Sequence, residues 1–361
     1  MGSTLILSLV AIAHWLVGFL VLGRLLGRRA AAAPRNPSAD GNVADSLSII
    51  IPARNEERNL PVLLGSLASQ AKRPREIIVV DDGSTDRTAE MARRFGATVV
   101  ASEPLPEGWR GKTWACWQGA RVATGDLLLF VDADTWFGTD GLEHILASHA
   151  GGALSVGPYH DVQRPYEQLS AFFNLMMTAG TGTFTIFGRE PNGLFGQLLL
   201  VGREDYWRVQ GHEAVKDRIL ENFWLAQRFR ECGVRLRCIV GQRAFAFRMY
   251  PQGIGQLIEG WTKGFASGAA QTPRMLMLLI ILWLSGMVFC PFLLTRGWAG
   301  VWTYLLYAVQ LRVLLGRIGA FRWYTSLFYP VPLVFYFAVF TRSVLRSGRK
   351  VTWKGRTIHA D

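Results

Sequence analysis

Two aspartates, Asp132 and Asp134, end one of the most apolar stretches of the chain. They follow the run LLLFV at residues 127–131. Two like charges this close repel each other, and burying a carboxylate is costly unless a partner compensates its charge. The pair therefore indicates either a solvated turn or a site that holds a cation.

Polar residues also follow two other apolar runs. The three runs and the residues after them are LSIII (47–51) before Pro52, Ala53 and Glu56, EIIVV (76–80) before Asp81 and Asp82, and LLLFV (127–131) before Asp132 and Asp134. Each polar group alone also suits a turn or a helix cap. Together they line the carboxyl edge of a sheet, where open α/β folds bind ligands. Such an edge suits hydrogen bonds to a base and a ribose, with a divalent cation bridging to phosphates.

Helical patterns separate the apolar runs. Leucines repeat with helical spacing after the first run, and the next helix is expected to begin near Ser84 or Asp86 and to end at Gly96. ATVV (97–100) is a further strand. Strands that alternate with helices predict an α/β fold with a mostly parallel sheet, and uniformly apolar strands predict a sheet covered on both faces.

The composition points to a membrane. Of 361 residues, 50% are hydrophobic, and the formal net charge is +12. The basic residues cluster beside apolar runs, which favours anionic lipid headgroups over nucleic acid as their partner. The four cysteines form no CxxC pair, so we expect reduced thiols in a cytosolic environment.

Several segments are apolar enough to cross a bilayer. Residues 4–23 and 275–294 are clear spans of about 20 residues, and 323–340 is a third candidate. Segment 301–316 is short and contains Gln310 and Arg312, so we expect it to be interfacial or re-entrant.

Basic residues follow the first span instead of preceding it. This order favours an uncleaved anchor over a signal peptide, with the N-terminus outside and the next segment in the cytoplasm. The predicted organisation is a transmembrane anchor at 1–25, a linker at 26–46, a catalytic domain at 47–270, a membrane region of two to three helices at 271–345 and a basic tail at 346–361. The expected location is the inner cell membrane, as a multi-pass protein with a cytoplasmic catalytic domain.

Three motifs in this order resemble a known family. SIIIPARNEERNL, VVDDGSTDRT and FVDADT resemble the family 2 inverting glycosyltransferases with the GT-A fold, over about residues 45–245. GWRGKTWACWQGA (108–120) and LIEGWTKGFASGA (257–269) resemble a membrane-bound subgroup that includes the diaponeurosporenoate (carotenoid) glycosyltransferases.

The resemblance implies roles for the residues at the strand ends. Pro52, Ala53, Glu56, Asp81 and Asp82 would hold the nucleotide's base and ribose. Asp134 would bind Mn²⁺ or Mg²⁺, which bridges the diphosphate, and Asp132 would lie near the ribose and the metal. Lys112 would contact the diphosphate, although a lysine in a basic chain is more often a solvated surface group.

The residue that would act as the general base departs from the family's pattern. The family usually supplies it from a Glu-Asp pair that opens a helix after a glycine turn. Here Gly211-His212 precedes the segment, but the pair is Glu221-Asn222, and an amide cannot act as a base. Glu221 or Asp217 would then take this role, or the protein is catalytically weak. Glu221 and His212 could also be an ordinary helix-face charge and a turn histidine.

The acceptor side is expected to face the membrane. Residues 169–188 are apolar and uncharged, which indicates a buried core helix or an interfacial element. Trp261 and Lys263 have the pattern of interface anchors, and we assign them with His212 to the acceptor side. No QxxRW motif of processive members is present, which favours a single transfer.

The resulting prediction is a membrane-anchored glycosyltransferase that moves one sugar from a nucleotide-sugar to a lipid-type acceptor. The acceptor would be a carotenoid or other isoprenoid, a polyprenyl phosphate or a glycerolipid. The alternative is a non-catalytic protein of this fold that binds a nucleotide-sugar or scaffolds other membrane enzymes.

Overall fold

A computed structural model describes residues 2–27, 46–188, 190–218, 220–262, 268, 271–346, 350–353 and 356–359. The strands are β1 (Leu47–Ala53), β2 (Glu76–Asp81), β3 (Thr98–Ala101), β4 (Leu127–Val131), β5 (Thr135–Phe137), β6 (Ala153–Gly157), β7 (Tyr159–His160), β8 (Leu198–Gly202), β9 (Leu236–Val240), β10 (Phe245–Phe247), β11 (Lys350–Trp353) and β12 (Arg356–His359).

The helices are α1 (Gly2–Leu26), α2 (Leu60–Ala68), α3 (Thr88–Arg94), α4 (Gly111–Val122), α5 (Gly141–Ser148), α6 (Ala171–Gly180), α7 (Arg203–Arg208), α8 (Glu221–Glu231), α9 (Ile254–Thr262), α10 (Arg274–Phe289), α11 (Trp298–Ile318), α12 (Trp323–Leu327) and α13 (Pro330–Arg346). Short 3₁₀ helices span Pro165–Ser170, Gly211–Val215 and Cys290–Arg296.

The main sheet of the described chain has seven strands in the order β3-β2-β1-β4-β8-β6-β9. Strand β8 is antiparallel to both of its neighbours, β4 and β6, whereas the other pairs are parallel. The predicted mostly parallel α/β sheet is therefore confirmed. β1, β2 and β4 begin at the residues where the apolar runs begin.

Successive residues of β1 face opposite cores. Ile49 and Ile51 belong to the cluster that includes Leu63 of α2, whereas Ile50 belongs to the cluster that includes Ala115 of α4. Both faces of the sheet are thus covered, which explains why apolar and polar residues do not alternate along its central strands. The four leucines that define the apolar face of α2 are all buried.

A second sheet forms next to the carboxyl edge of the first, with the strand order β5-β10-β7. β5 begins one residue after Asp134, and its Thr135 pairs with Phe247 of β10. The small sheet therefore brings the chain segment after Phe247 beside the end of the acidic motif.

The N-terminal helix packs into the C-terminal helices. The hydroxyl of Tyr307 donates to the carbonyl of Ala11 at 2.8 Å. Trp283 Nε1 donates to Gln310 Oε1 at 2.9 Å, and Gln310 Nε2 donates to the carbonyl of Trp15 at 2.9 Å. Helices α1, α10 and α11 therefore form one bundle, although the sequence separates α1 from the others by the whole catalytic domain.

Three helices in the described chain are long and apolar enough to cross a membrane, namely Leu5–Leu26, Arg274–Arg296 and Trp298–Ile318. The sequence predicts that segment 323–340 spans the membrane and that segment 301–316 does not. The structure shows the reverse, because a long apolar helix contains 301–316 and not 323–340. Segment 301–316 lies inside the 21-residue helix α11. The polar side chain of Gln310 is compatible with this helix because it has hydrogen-bond partners within the bundle. Segment 323–340 is divided between α12 and the 17-residue helix α13, which begins at Pro330.

Helix α6 joins the bundle to the catalytic domain. It occupies the first part of segment 169–188 and is buried along most of its length. Phe173 stacks on Trp261 of α9 at 4.7 Å between ring centroids and meets Tyr336 of α13 at 5.1 Å. The core-helix interpretation is therefore correct for α6, whereas the exposed side chains of Ile186 and Phe187 follow it.

Candidate active site

The ends of β1 and β2 lie side by side. Ala53 pairs with Asp81, and the amide of Asp82 donates to the carbonyl of Ala53 at 2.9 Å. The amide of Ser84 donates to Asp81 Oδ1 at 3.0 Å, which fixes this carboxylate in a tight turn. Arg54 Nη1 lies 4.0 Å from Asp82 Oδ2. The structure thus brings together the predicted base- and ribose-binding residues of these two strands.

Glu56 is buried, as is Asp82. Glu56 accepts a hydrogen bond from Asn59 Nδ2 at 2.8 Å, and its own amide donates to Thr88 Oγ1 at 2.8 Å. Its backbone carbonyl accepts from the amides of Asn59 and Leu60 at the start of α2. Glu56 therefore links the end of β1 to the first turns of α2 and α3. Pro52, in the same strand end, lines the cavity described next.

Lys112 supplies a positive charge that compensates the carboxylate of Asp132 at the end of the apolar strand β4. Its Nζ lies 2.7 Å from Asp132 Oδ1 and 3.5 Å from Glu221 Oε1, and it donates to the carbonyl of Gly196 at 2.9 Å. Burial by itself lowers the pKa of Lys112, but the two carboxylates raise it above its usual value, so the ammonium stays charged. These three side chains line one cavity at the sheet edge.

Asp134 does not share this environment. It is exposed, whereas Asp132 is half-buried beside Lys112. Burial, with a contribution from the nearby charge of Asp134, raises the pKa of Tyr250 after β10. The two aspartates of the motif therefore face different surroundings, one neutralised by a lysine and one exposed to solvent.

The described residues contain no group of three or more His, Cys, Asp and Glu side chains that could hold a metal. Asp134 is nevertheless a suitable partial site. It is an exposed carboxylate, the type of ligand that Mg²⁺ and Mn²⁺ prefer, and such ions commonly complete their coordination with substrate phosphates and water.

Glu221 and Asn222 begin α8 and have different roles. Glu221 lines the cavity and faces Lys112. Asn222 Nδ2 donates to the carbonyl of Leu194, and the amide of Leu194 donates back to the carbonyl of Asn222 at 3.4 Å. Asn222 therefore attaches α8 to the loop before β8, a task that requires an N–H donor.

Asp217, the other candidate base, is not brought to the cavity. Its side chain is 60% exposed and lies 3.4 Å from Arg218. Its backbone carbonyl accepts from Arg110 Nε at 3.0 Å, so the segment before α8 contacts the chain that leads into α4. The geometry favours Glu221 over Asp217 as a residue that acts on a ligand in this cavity.

His212 lies inside the cavity wall. The hydroxyl of Tyr206 and His212 Nδ1 are 2.9 Å apart, and the amide of His212 donates to the same hydroxyl at 3.2 Å. If the hydroxyl donates its own hydrogen to Nδ1, the ring carries its proton on Nε2. Burial and the charge of Lys112 lower the pKa of His212 to about 3, so the ring is neutral at pH 7.

Trp261 is not a surface anchor, because only 4% of it is exposed and its Nε1 donates to Ser170 Oγ at 3.1 Å. The anchor interpretation is therefore wrong for this ring, which joins α9 to α6. Lys263 lies outside the described residues.

The loop before β8 is a part of the site that no sequence motif predicts. The carbonyls of Leu194 and Gly196 and the ring of Phe195 form part of the cavity, and the carbonyl of Gln197 accepts from the amide of Asp132 at 3.0 Å. Backbone groups of a loop far away in sequence carry no residue-type signature. Gly193 of NGLFGQ is a hint of close packing, because a Cβ on it would lie 2.6 Å from the ring of Phe223 in α8.

The chain has clear relatives. The model of the family described as glycosyl transferase family 2 matches residues 48–188. A 4,4'-diaponeurosporenoate glycosyltransferase of Staphylococcus haemolyticus is 41% identical over 278 residues, which is 74% of this chain and 74% of that protein. The protein of the same name from Staphylococcus aureus is 38% identical over 329 residues, which is 86% of this chain and 88% of that protein.

Solved structures share the fold. A mannosyltransferase from Pyrobaculum calidifontis, in complex with GDP-Man and Mn²⁺, aligns with a TM-score of 0.52 at 18% identity over 94% of this chain and 98% of that chain. Fold, site and relatives together define a GT-A glycosyltransferase. The chain belongs to glycosyl transferase family 2.

Proposed function

We propose that this glycosyltransferase moves one sugar from a nucleotide-sugar donor to a lipid-type acceptor, with inversion and with the help of a divalent metal ion. The cluster of Lys112, Asp132 and Glu221 carries the proposal. It joins the nucleotide-binding edge of the sheet to α8, within a chain whose other half is an apolar helical bundle.

The relatives' names suggest the acceptor class. They specify a diaponeurosporenoate, a carotenoid-type molecule that ends in a carboxylate. We propose an acceptor of this kind, a long apolar chain with one polar end. A polyprenyl phosphate and a glycerolipid have the same general form, and they are the alternative acceptors to be tested.

The donor would bind along the ends of β1, β2 and β4. Pro52, Ala53, Glu56, Asp81 and Asp82 are proposed to hold the base and the ribose, since their carboxylates and backbone groups accept hydrogen bonds there. The ammonium of Lys112 is a fixed positive charge beside Asp132 and is suited to contact the diphosphate.

Asp134 would hold Mn²⁺ or Mg²⁺, with Asp132 nearby. When bound, such an ion offsets the negative charge that the leaving nucleoside diphosphate gains. The neighbouring Lys112 contributes a second positive charge of the chain's own.

Glu221 is proposed as the residue that receives a proton from a hydroxyl acceptor. A carboxylate acceptor has an ordinary pKa of about 4 and arrives deprotonated at pH 7, so it needs no general base. Asn222 in place of the usual aspartate is compatible with this chemistry. The non-catalytic alternative depended on Asn222 alone, and the bond of this side chain to Leu194 accounts for the amide.

For the location, we propose the inner cell membrane, with several spans and the catalytic domain in the cytoplasm. The basic residues just after α1 support this orientation.

The test is sugar transfer by the purified full chain in detergent. UDP-glucose and GDP-mannose serve as donors. 4,4'-Diaponeurosporenoate, a polyprenyl phosphate and a glycerolipid serve in turn as acceptors, each with Mn²⁺ or with EDTA. We expect transfer that EDTA abolishes and that Asp134→Ala lowers by about 100-fold or more.

The matched control is Asp126→Ala. This exposed aspartate precedes β4 at the opposite edge of the sheet, so its removal should leave transfer unchanged. Full activity of Asp134→Ala in the presence of EDTA would refute the metal assignment. No transfer to any of the three acceptor classes would refute the proposed function.

A further inference from the structure

A second cavity lies beside the first along the same edge of the sheet. Its lining residues include several from β6, α6, the loop before β8 and the end of α11, namely Gly157, Asn174, Thr178, Phe195, Gln197 and Ile318. Only Asn174 and Thr178 of these residues lie in a segment that the sequence marks, residues 169–188. The cavity lies between the catalytic domain and the helical bundle.

The two cavities are neighbours. Phe195 lines both of them, and a Cβ on Gly157 would lie 2.8 Å from its ring, so the ring is packed against the end of β6. Gln197 also connects them, because its carbonyl accepts from the amide of Asp132 and the residue lines the second cavity. A ligand in the second cavity would therefore end next to the cluster around Lys112.

The cavity wall is mostly apolar, and most of its polar groups are already used. Asn174 Nδ2 donates to His160 Nδ1 at 2.8 Å and to the carbonyl of Ser170 at 3.0 Å. The hydroxyl of Thr178 donates to the carbonyl of Asn174 at 2.8 Å. These bonds leave the wall suited to an apolar ligand.

Gln197 is the exception. Its Oε1 is buried and has no hydrogen-bond partner among the described residues. A buried amide oxygen without a partner costs roughly 1–3 kcal/mol, and such groups usually have a structural or functional reason. Rotation of the amide by half a turn presents Nε2 instead, so Gln197 can accept from a hydroxyl or donate to a carboxylate.

Ile318 gives the cavity its link to the membrane. It is the last residue of α11, one of the three helices that are long enough to span a bilayer. An apolar chain that approaches along the bundle would reach the catalytic domain at this residue.

We propose that the second cavity binds the end section of the acceptor's apolar chain, and that Gln197 binds the polar group at its end. Phe195 forms the wall between this section and the donor. The assignment rests on the proposed function and adds to it the place at which a lipid-soluble molecule meets the sugar donor.

The test fills the cavity from two different elements. Thr178→Leu adds bulk on α6, and its matched control Thr178→Val removes the same hydroxyl without filling space. Ile318→Phe adds bulk at the end of α11, and its control Val313→Phe changes an exposed residue of the same helix. The full chain is assayed with 4,4'-diaponeurosporenoate as acceptor, and binding of UDP-glucose and GDP-mannose is measured separately by tryptophan fluorescence.

We expect Thr178→Leu and Ile318→Phe to raise the acceptor KM by about tenfold or more, with donor binding unchanged and both controls close to wild type. Gln197→Glu should impair transfer to the carboxylate more than transfer to the matching alcohol, because a carboxylate in the wall repels the first.

Each outcome has a separate meaning. Normal acceptor KM values in both filled variants would overturn the cavity assignment while leaving the proposed function intact. Loss of donor binding in both filled variants would also overturn it, because the cavity would then act on the donor side. Absence of transfer by the wild-type chain would overturn the proposed function itself.

Discussion

At the scale of single residues, Asn222 occupies a position where an amide and a carboxylate have opposite effects. Asn222 Nδ2 donates to the carbonyl of Leu194, and the amide of Leu194 donates to the backbone carbonyl of Asn222. An aspartate would place a negative oxygen against the carbonyl of Leu194. The residue that departs from the family pattern is therefore the one that fits this contact.

We expect Asn222→Asp to lower the free energy of unfolding by about 1–3 kcal/mol, because it removes a hydrogen bond and leaves a carbonyl facing a carboxylate. Turnover should not increase. Thermal unfolding and sugar transfer, measured on the same preparation, check both statements. Asn222→Ala is the control that removes the donor without adding charge, and it should be less destabilising. A large gain in turnover would mean that Asn222 replaces a missing base.

His212 makes the stability of the protein depend on pH. Burial and the charge of Lys112 lower the pKa of His212 from 6.5 to about 3. The unfolded chain therefore binds a proton in the window between these values and the folded chain does not, so stability falls as the pH falls below 6.5.

Between pH 7 and pH 5 this single group should contribute a loss of roughly 2 kcal/mol. Chemical unfolding at a series of pH values measures the slope, and His212→Gln should flatten it. His160, whose burial lowers its pKa to about 4, contributes in the same direction and remains in that variant. An identical slope in His212→Gln would contradict the assignment.

At the scale of elements, the bundle depends on a close approach between α1 and α10. A Cβ on Gly18 would lie 2.7 Å from Trp283 Cε2 and 2.8 Å from Gln310 Nε2. These are the two side chains whose hydrogen bonds join α10, α11 and α1. Glycine is thus required here by space between helices, as in other small-residue helix contacts.

Gly18→Val should therefore separate α1 from its partners and lower the free energy of unfolding by about 1–3 kcal/mol. Thermal unfolding in detergent measures the change. Leu16→Val alters an exposed residue of the same helix and should have little effect. Equal stability of the two variants would show that α1 does not pack as described.

At the scale of the whole molecule, the exposed apolar side chains concentrate on the bundle. Residues such as Leu9, Leu278 and Val309 are exposed on α1, α10 and α11. A surface this apolar on three long helices is typical of contact with lipid. The described part of the catalytic domain has no such belt, so the bundle and the catalytic domain are adapted to different surroundings.

The proposed orientation can be tested by labelling one accessible thiol on the catalytic domain. Cys116, Cys238 and Cys290 are buried, and Cys232 is partly buried. In a Cys232→Ser background, Ser69→Cys adds an exposed thiol to the catalytic domain. In intact spheroplasts we expect no labelling by a membrane-impermeant maleimide and full labelling after lysis. Labelling before lysis would place the catalytic domain outside the cytoplasm.

The sequence by itself determined the α/β order, the acidic carboxyl edge and the presence of membrane helices. Each of these depends on local patterns, such as the apolar run before Asp132, that read the same in any context. Tertiary structure decided that Lys112 neutralises Asp132, that Gln310 belongs inside a helix, and that the loop around Phe195 closes the site. These outcomes depend on contacts between residues far apart in the chain, whose partners no local pattern identifies.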